Sequence, residues 1–106
     1  MPHFNTLIFK GVVEGKAIII LLDKGATHNF IDASLVERRN STTKKIEGFT
    51  VIILGNHSMD CTKWIPNIQV TIGNYMITNI FYVVNVADTN FILGLQGLYY
   101  IGEHMA

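Results

Sequence analysis

Residues 17–31 read Ala-Ile-Ile-Ile-Leu-Leu-Asp-Lys-Gly-Ala-Thr-His-Asn-Phe-Ile, and the rest of the chain is best understood from this stretch. Its first six positions are all apolar and rich in β-branched residues, which is typical of a strand covered on both faces. Asp23 follows directly and precedes the glycine of a turn, Gly25. Burying a carboxylate at the end of a strand costs free energy unless hydrogen-bond donors or opposite charges pair with it. Asp-x-Gly is also a common strand terminator, so an ordinary turn is the competing interpretation.

Three β-hairpins are predicted, one that ends within this stretch and two that follow it. In each, two apolar runs flank a two-residue turn that contains glycine, which accepts a positive φ without a Cβ clash. The predicted hairpins are residues 7–22 around Glu14-Gly15, residues 49–64 around Gly55-Asn56, and residues 68–84 around Gly73-Asn74.

Helix signals are few. Asp32 or Ser34 is predicted to cap a short helix that runs through Arg39, and Ser34-x-x-Glu37 has the form of a capping box. Residues 40–47, which follow, are polar and charged and are predicted to form a surface loop.

A second short helix is predicted over residues 95–101, with Gly102 as its C-terminal cap. The remaining residues are turn or strand. The predicted fold class is therefore mainly β: a small closed β-barrel with one or two short helices, formed by residues 1–106 as a single domain.

Composition excludes several classes of function. The 106 residues carry eight basic and eight acidic side chains, whereas a nucleic-acid arm or a polybasic membrane anchor needs a basic excess. Cys61 is the only cysteine, which rules out an internal disulfide and a thiolate metal cluster and favours a reducing, intracellular and cytoplasmic location. A mean hydropathy of +0.32 is high for so small a chain and suggests that apolar surface is covered by a partner.

Residues 22–31 resemble the active-site segment of retropepsin-like aspartic proteases, especially those of plant gypsy-type LTR retrotransposon polyproteins. In that group the segment typically reads Asp-Ser-Gly-Ala-Thr-His-Asn-Phe-Ile. Residues 91–96, Phe-Ile-Leu-Gly-Leu-Gln, are similar to the family's second signature. Residues 49–64 look like its flap hairpin and residues 68–84 like the next hairpin, so the resemblance covers residues 5–104.

The resemblance implies the retropepsin fold and aspartic endopeptidase activity, with no cofactor and no metal. Aspartic proteolysis needs two carboxylates that share one proton across a bound water. Because Asp23 lies in the only Asp-x-Gly-Ala of the chain, the second carboxylate would come from another copy. The implied enzyme is a homodimer that cleaves an extended peptide of a retroelement polyprotein, without binding nucleic acid or membrane itself.

The same resemblance implies roles in substrate binding. Gly25 and Ala26 would border the substrate, whose backbone could approach Gly25 closely. Gly55, Asn56 and His57 would form the mobile tip of the flap, which closes over the peptide and reopens for product release. His57 can equally be a solvated turn residue.

Two positions depart from the family pattern. Lys24 stands where the family has Ser or Thr, whose hydroxyl ties the two active-site loops together, and lysine has no acceptor to replace it. Gly97 stands where relatives usually carry a bulky aromatic residue. A second hypothesis is therefore a catalytically impaired retropepsin-fold domain that serves as a dimerisation or peptide-binding module.

Other catalytic constellations are weaker. Ser58 follows His57 without a nucleophile elbow, and Cys61 is expected to be a structural thiol. The four histidines lack metal-ligand spacing: His3, His28, His57 and His104.

Overall fold

The computed structural model describes residues 6–53, 57–86 and 88–94. Within these ranges the chain forms seven strands and one helix. They are β1 (Thr6–Val13), β2 (Lys16–Asp23), β3 (Phe30–Asp32), α1 (Ala33–Arg39), β4 (Lys44–Ile53), β5 (His57–Ile72), β6 (Tyr75–Val84) and β7 (Phe91–Leu93). The mainly β fold class is confirmed. The second predicted helix, residues 95–101 with Gly97 and its cap Gly102, lies outside the described residues.

The strands form a ring. They pair in the order β1-β2-β7-β3-β6-β5-β4, and an additional pairing joins β1 to β5. That closing contact places Val12 opposite Thr71. It depends on Gly11, since a Cβ there would lie 2.8 Å from the carbonyl oxygen of Thr71 and 2.5 Å from Cδ1 of Ile20. The predicted barrel is thus a ring of six strands closed by one bridged residue pair. Strand β4 pairs with the first half of β5, residues 57–64.

All three predicted hairpins are present. In the first, Glu14 and Gly15 have φ values of 51° and 77°, as a two-residue primed turn between twisted strands requires. In the third, Gly73 has a φ of 58° between Ile72 and Tyr75, which pair with each other. The second hairpin is formed by β4 and β5, whose paired residues nearest to its turn are Ile53 and His57.

Two sequence predictions about strands were wrong. Residues 44–47 belong to β4 instead of a loop, because an irregular register between Lys45 and Phe49 lets Ile46 and Phe49 both pack on the interior. Strand β2 is not covered on both faces along its length: Ile19 keeps 43% of its surface exposed, while Ile20 is fully buried. Its apolar outer residues therefore lie at the surface of the single chain.

The helix prediction was right in position and in Asp32 as the N-cap residue, and wrong in the capping box. Asp32 is the N-cap residue of α1 but makes no side-chain capping hydrogen bond. Its carboxylate instead accepts the N–H of Val86 at 2.9 Å and the hydroxyl of Ser34. Ser34 lies inside the helix, so it does not form the predicted capping box with Glu37.

Two apolar cores stabilise the molecule. The first fills the ring and includes the fully buried side chains of Ile20, Phe81 and Phe91. The second lies beneath the β4–β5 hairpin and includes Phe30, Ile53, Cys61, Ile92 and Ala26. Because Ala26 belongs to the loop after Asp23, the second core joins that loop to the hairpin. In the described part of the chain, no helix is long and apolar enough to cross a bilayer.

Candidate active site

Asp23 is the last residue of β2 and is only 2% exposed. The parallel strand β7 pairs with the end of β2, where Leu22, the residue before Asp23, is paired to Leu93. The chain then turns back tightly: the Asp23 carbonyl accepts the N–H of Ala26 at 3.1 Å. Its carboxylate oxygen Oδ1 accepts the N–H of Gly25 at 2.9 Å. The turn and the candidate site are therefore one structure, in which the turn fixes the orientation of the carboxylate.

The two predicted binding residues of this loop differ in exposure. Gly25 is exposed, and a Cβ at this position would lie 3.3 Å from Oδ1 of Asp23. The bare glycine backbone therefore lies directly beside the carboxylate. Ala26 is fully buried in the second core, so it anchors the loop there instead of lining an open surface.

The second sequence signature packs directly on this loop. A Cβ on Gly94 would lie 2.5 Å from the carbonyl oxygen of Ala26 and closer still to that of His28. Real Cβ atoms do not approach backbone oxygens so closely, so only glycine fits at this position without moving the loop. The two motifs, distant in sequence, thus meet through backbone contact.

Asn29 joins the two signatures and was not singled out from sequence. It is 1% exposed, and its side-chain oxygen accepts the N–H of Gly94 at 3.0 Å. Its main-chain carbonyl accepts the N–H of Tyr82 at 2.8 Å. Among the described residues, its Nδ2 has no hydrogen-bond partner. The sequence signals for this residue were its place in the segment of residues 22–31 and its polar side chain just before an apolar strand, and neither reveals its partners.

The side chain of Lys24 is exposed in the single chain. It therefore does not lie in the interior next to Asp23, although both residues belong to the same turn. His57 is exposed as well, at the first position of β5. The other two residues predicted for the hairpin tip, Gly55 and Asn56, lie outside the described residues.

Cys61 is a buried thiol beneath the β4–β5 hairpin. Burial raises the pKa of the Cys61 thiol above its usual value, and Sγ donates to the Lys63 carbonyl at 3.4 Å. A protonated, buried thiol is a poor nucleophile, which agrees with the structural role predicted for it. In the ranges that the structure describes, no three His, Cys, Asp or Glu side chains cluster as metal ligands do.

Comparison with known proteins agrees with this architecture. Residues 5–103 match the family model described as retroviral aspartyl protease. Among solved structures, the chain is similar to the retroviral protease-like domain of Ddi1 from Leishmania major. That match has a TM-score of 0.65 and 17% identity and covers 92% of this chain and 78% of that chain, so it shows a shared fold. No curated protein sequence matches the chain.

Proposed function

Because the chain belongs to the retroviral aspartyl protease family, we propose that it is an aspartic endopeptidase that acts as a homodimer. The observation that carries the proposal is the placement of Asp23. Its carboxylate ends a buried strand, is held by the Gly25 N–H, and lies in a loop pressed between Gly94 and the second core. This is a fixed acid beside an exposed glycine backbone, as a peptide-cleaving site needs.

The proposed reaction uses one Asp23 from each subunit. Two carboxylates that close cannot both ionise, so the pair holds one proton and titrates as a unit. The ionised carboxylate accepts a proton from a water molecule as that water attacks the scissile carbonyl carbon. The protonated carboxyl then donates its proton to the leaving nitrogen as the C–N bond breaks.

Exposed apolar residues beside the site support the dimer. In the β1–β2 pairing, Thr6 is opposite Asp23 and Leu7 is opposite Leu22. Leu7 and its neighbour Ile8 keep 58% and 73% of their surfaces exposed. A second copy that met this edge of the molecule would cover them and would bring the two carboxylates toward one axis.

We assign the substrate as an extended peptide, derived from the polyprotein of a plant gypsy-type retroelement. Gly25 would form one wall of the cleft, and Ala26 would anchor that wall from the second core. Gly55, Asn56 and His57 would form a flap over the peptide. Main-chain hydrogen bonds would then supply most of the affinity, as in other cases of strand addition.

A second function is favoured by one observation, which is Lys24. Two ammonium groups beside the dyad would favour its doubly ionised form and remove the general acid. The exposed position of Lys24 reduces that effect, but the hydroxyl tie between the loops is still missing. A catalytically silent module that dimerises or binds peptides is the alternative.

Four purified proteins separate these functions: the wild type, Asp23→Asn, Lys24→Ser, and Asp88→Asn as a control. Asp88 is an exposed aspartate with a φ of 62°, a conformation that asparagine tolerates. We expect the wild type and Asp88→Asn to cleave unstructured peptides at mildly acidic pH, with inhibition by a statine-type compound.

We expect Asp23→Asn to lower cleavage by at least about a thousandfold, since it removes an acid–base group. Lys24→Ser should raise cleavage by about tenfold or more, since a hydroxyl restores a donor and acceptor. If the wild type and Lys24→Ser both form dimers that bind peptide but do not cleave it, the result contradicts the proposed protease activity. It would then support the catalytically silent binding module.

A further inference from the structure

A cluster of four aromatic rings lies next to the candidate active-site loop. The His28 ring meets Tyr82 edge-to-face, with centroids 5.2 Å apart and planes at 88°. It also meets Phe49 at 5.8 Å with the planes tilted by 56°, and Phe49 and Tyr82 meet each other edge-to-face at 5.4 Å and 89°. Phe30 completes the cluster at 6.4 Å from both His28 and Tyr82. Edge-to-face contacts of this kind are directional, so the rings hold one another in defined orientations.

The four rings come from four different parts of the fold. Phe30 lies in β3 and Tyr82 in β6, both within the body of the sheet. Phe49 lies in β4, the strand that leads to the tip of the β4–β5 hairpin. His28 lies in the loop between Asp23 and β3. The contact between His28 and Phe49 therefore connects the loop that carries the acid with the hairpin proposed to cover the peptide.

His28 is itself held in place on the loop side. Its Nδ1 lies 2.8 Å from Oγ1 of Thr27, within hydrogen-bond distance. Its main-chain oxygen lies against Gly94, and Asn29, the next residue, is bound to both Gly94 and Tyr82. With the backbone and one ring nitrogen fixed in this way, the ring has little freedom to follow a displaced hairpin. Phe49 packs against this ring from the hairpin side.

The hairpin otherwise has few attachments to the rest of the sheet. β4 pairs only with β5 in the described part of the chain, and its outward residues are exposed, Ile52 at 60%. Its inward residues Val51 and Ile53 are buried in the second core, where apolar contacts are not directional. In addition to these contacts, Phe49 packs against two rings outside the hairpin, tilted against His28 and edge-to-face against Tyr82.

We propose that His28 is a positioning residue, whose ring sets the resting position of the β4–β5 hairpin relative to Asp23. This inference rests on the proposed function, because it concerns how that site holds its peptide. A hairpin that loses this support would close less well on the peptide, while the carboxylate and its turn would be unchanged. The effect should therefore fall on peptide binding more than on the bond-breaking step.

The test compares His28→Ala with His28→Phe. Alanine removes the ring, whereas phenylalanine keeps it and loses only the bond to Thr27. The substrate is the peptide that the wild type cleaves fastest in a pool of unstructured peptides. We expect His28→Ala to raise KM about tenfold while kcat changes less than about threefold, and His28→Phe to stay within about twofold of the wild type in both.

Amide hydrogen exchange supplies a readout that does not need activity. In His28→Ala, exchange in residues 49–53 and 57–61 should quicken about tenfold or more, while exchange in the β1–β2 hairpin stays unchanged. Phe9→Leu is the matched control, since Phe9 packs partly buried on the other core. It should quicken exchange near β1 and leave the β4–β5 hairpin as it is.

The outcomes distinguish this inference from the proposed function. If the wild type cleaves no peptide but His28→Ala still quickens exchange in the hairpin, the function fails and the support by His28 stands. Unchanged exchange and KM in His28→Ala would overturn the inference, as would a loss confined to kcat or a failure of phenylalanine to restore the wild-type values. Should His28→Ala not fold, Phe49→Leu must give the same exchange and KM signature from the hairpin side.

Discussion

Gly94 is the residue at which the geometry of the candidate site is most tightly constrained. Gly94→Ala would place a methyl group 2.5 Å from the carbonyl oxygen of Ala26 and closer to that of His28. Backbone atoms cannot yield as a flexible side chain can, so the loop that carries Asp23 must shift. We expect a loss of about 2–3 kcal/mol in the free energy of unfolding, measured with urea, and a larger loss of cleavage.

Gly48→Ala is the matched control for this substitution. Its new methyl group would meet Cγ2 of Thr62 at 3.3 Å, and that exposed side chain can move. A change below about 1 kcal/mol is expected at this position. Equal effects of the two substitutions would show that Gly94 is not a point of backbone contact.

At the residue scale, short motifs singled out Asp23 as the candidate acid, whereas the residues that hold its loop in place could not be predicted. Asp23, Gly25 and Gly94 belong to short motifs whose residue types carry the signal. The roles of His28 and Asn29 depend on partners far along the chain, such as Phe49, Tyr82 and Gly94. No local pattern reveals such partners, because only the folded sheet brings them together.

At the scale of elements, ring closure depends on Gly11 in β1. Gly11→Ala would bring a Cβ within 2.8 Å of the Thr71 carbonyl oxygen and separate β1 from β5 at their one bridged pair. We expect a loss of about 1–3 kcal/mol in the free energy of unfolding and faster amide exchange at Val12 and Thr71. Lys10→Ala, an exposed site on the same strand, should change the free energy by less than about 0.5 kcal/mol.

Hairpins could be predicted, whereas the pairings between distant strands could not. A hairpin has a local cause, such as the positive φ values of Glu14 and Gly15 in its turn. The parallel pairings of β2 with β7 and of β3 with β6 join separate parts of the chain and have no local sequence signal.

The irregular registers of β4 and β5 were not predicted either. In β5, Asn67 has a φ of 58° between Ile65 and Ile68, so both isoleucines face the interior despite their odd spacing.

For the molecule as a whole, composition predicts a partner, and that stays a prediction. A chain without net charge and with a mean hydropathy of +0.32 leaves apolar side chains at its surface, and Leu7 and Ile8 lie beside the strand end that bears Asp23. Fold class and family followed from the sequence because its two signatures and three hairpins agree with each other. The effect of Lys24 could not be predicted, since in the proposed homodimer it would depend on contacts between the two copies.

The central claim is that two copies of Asp23 form one catalytic dyad, and subunit mixing tests it most directly. Wild-type protein is mixed with increasing amounts of Asp23→Asn at constant total concentration, well above that needed for dimers, and the rate of peptide cleavage is measured. Only dimers with two intact acids can work, so the rate should fall as the square of the wild-type fraction. A rate that falls in direct proportion to the wild-type fraction, or no cleavage by the wild type alone, would contradict the account.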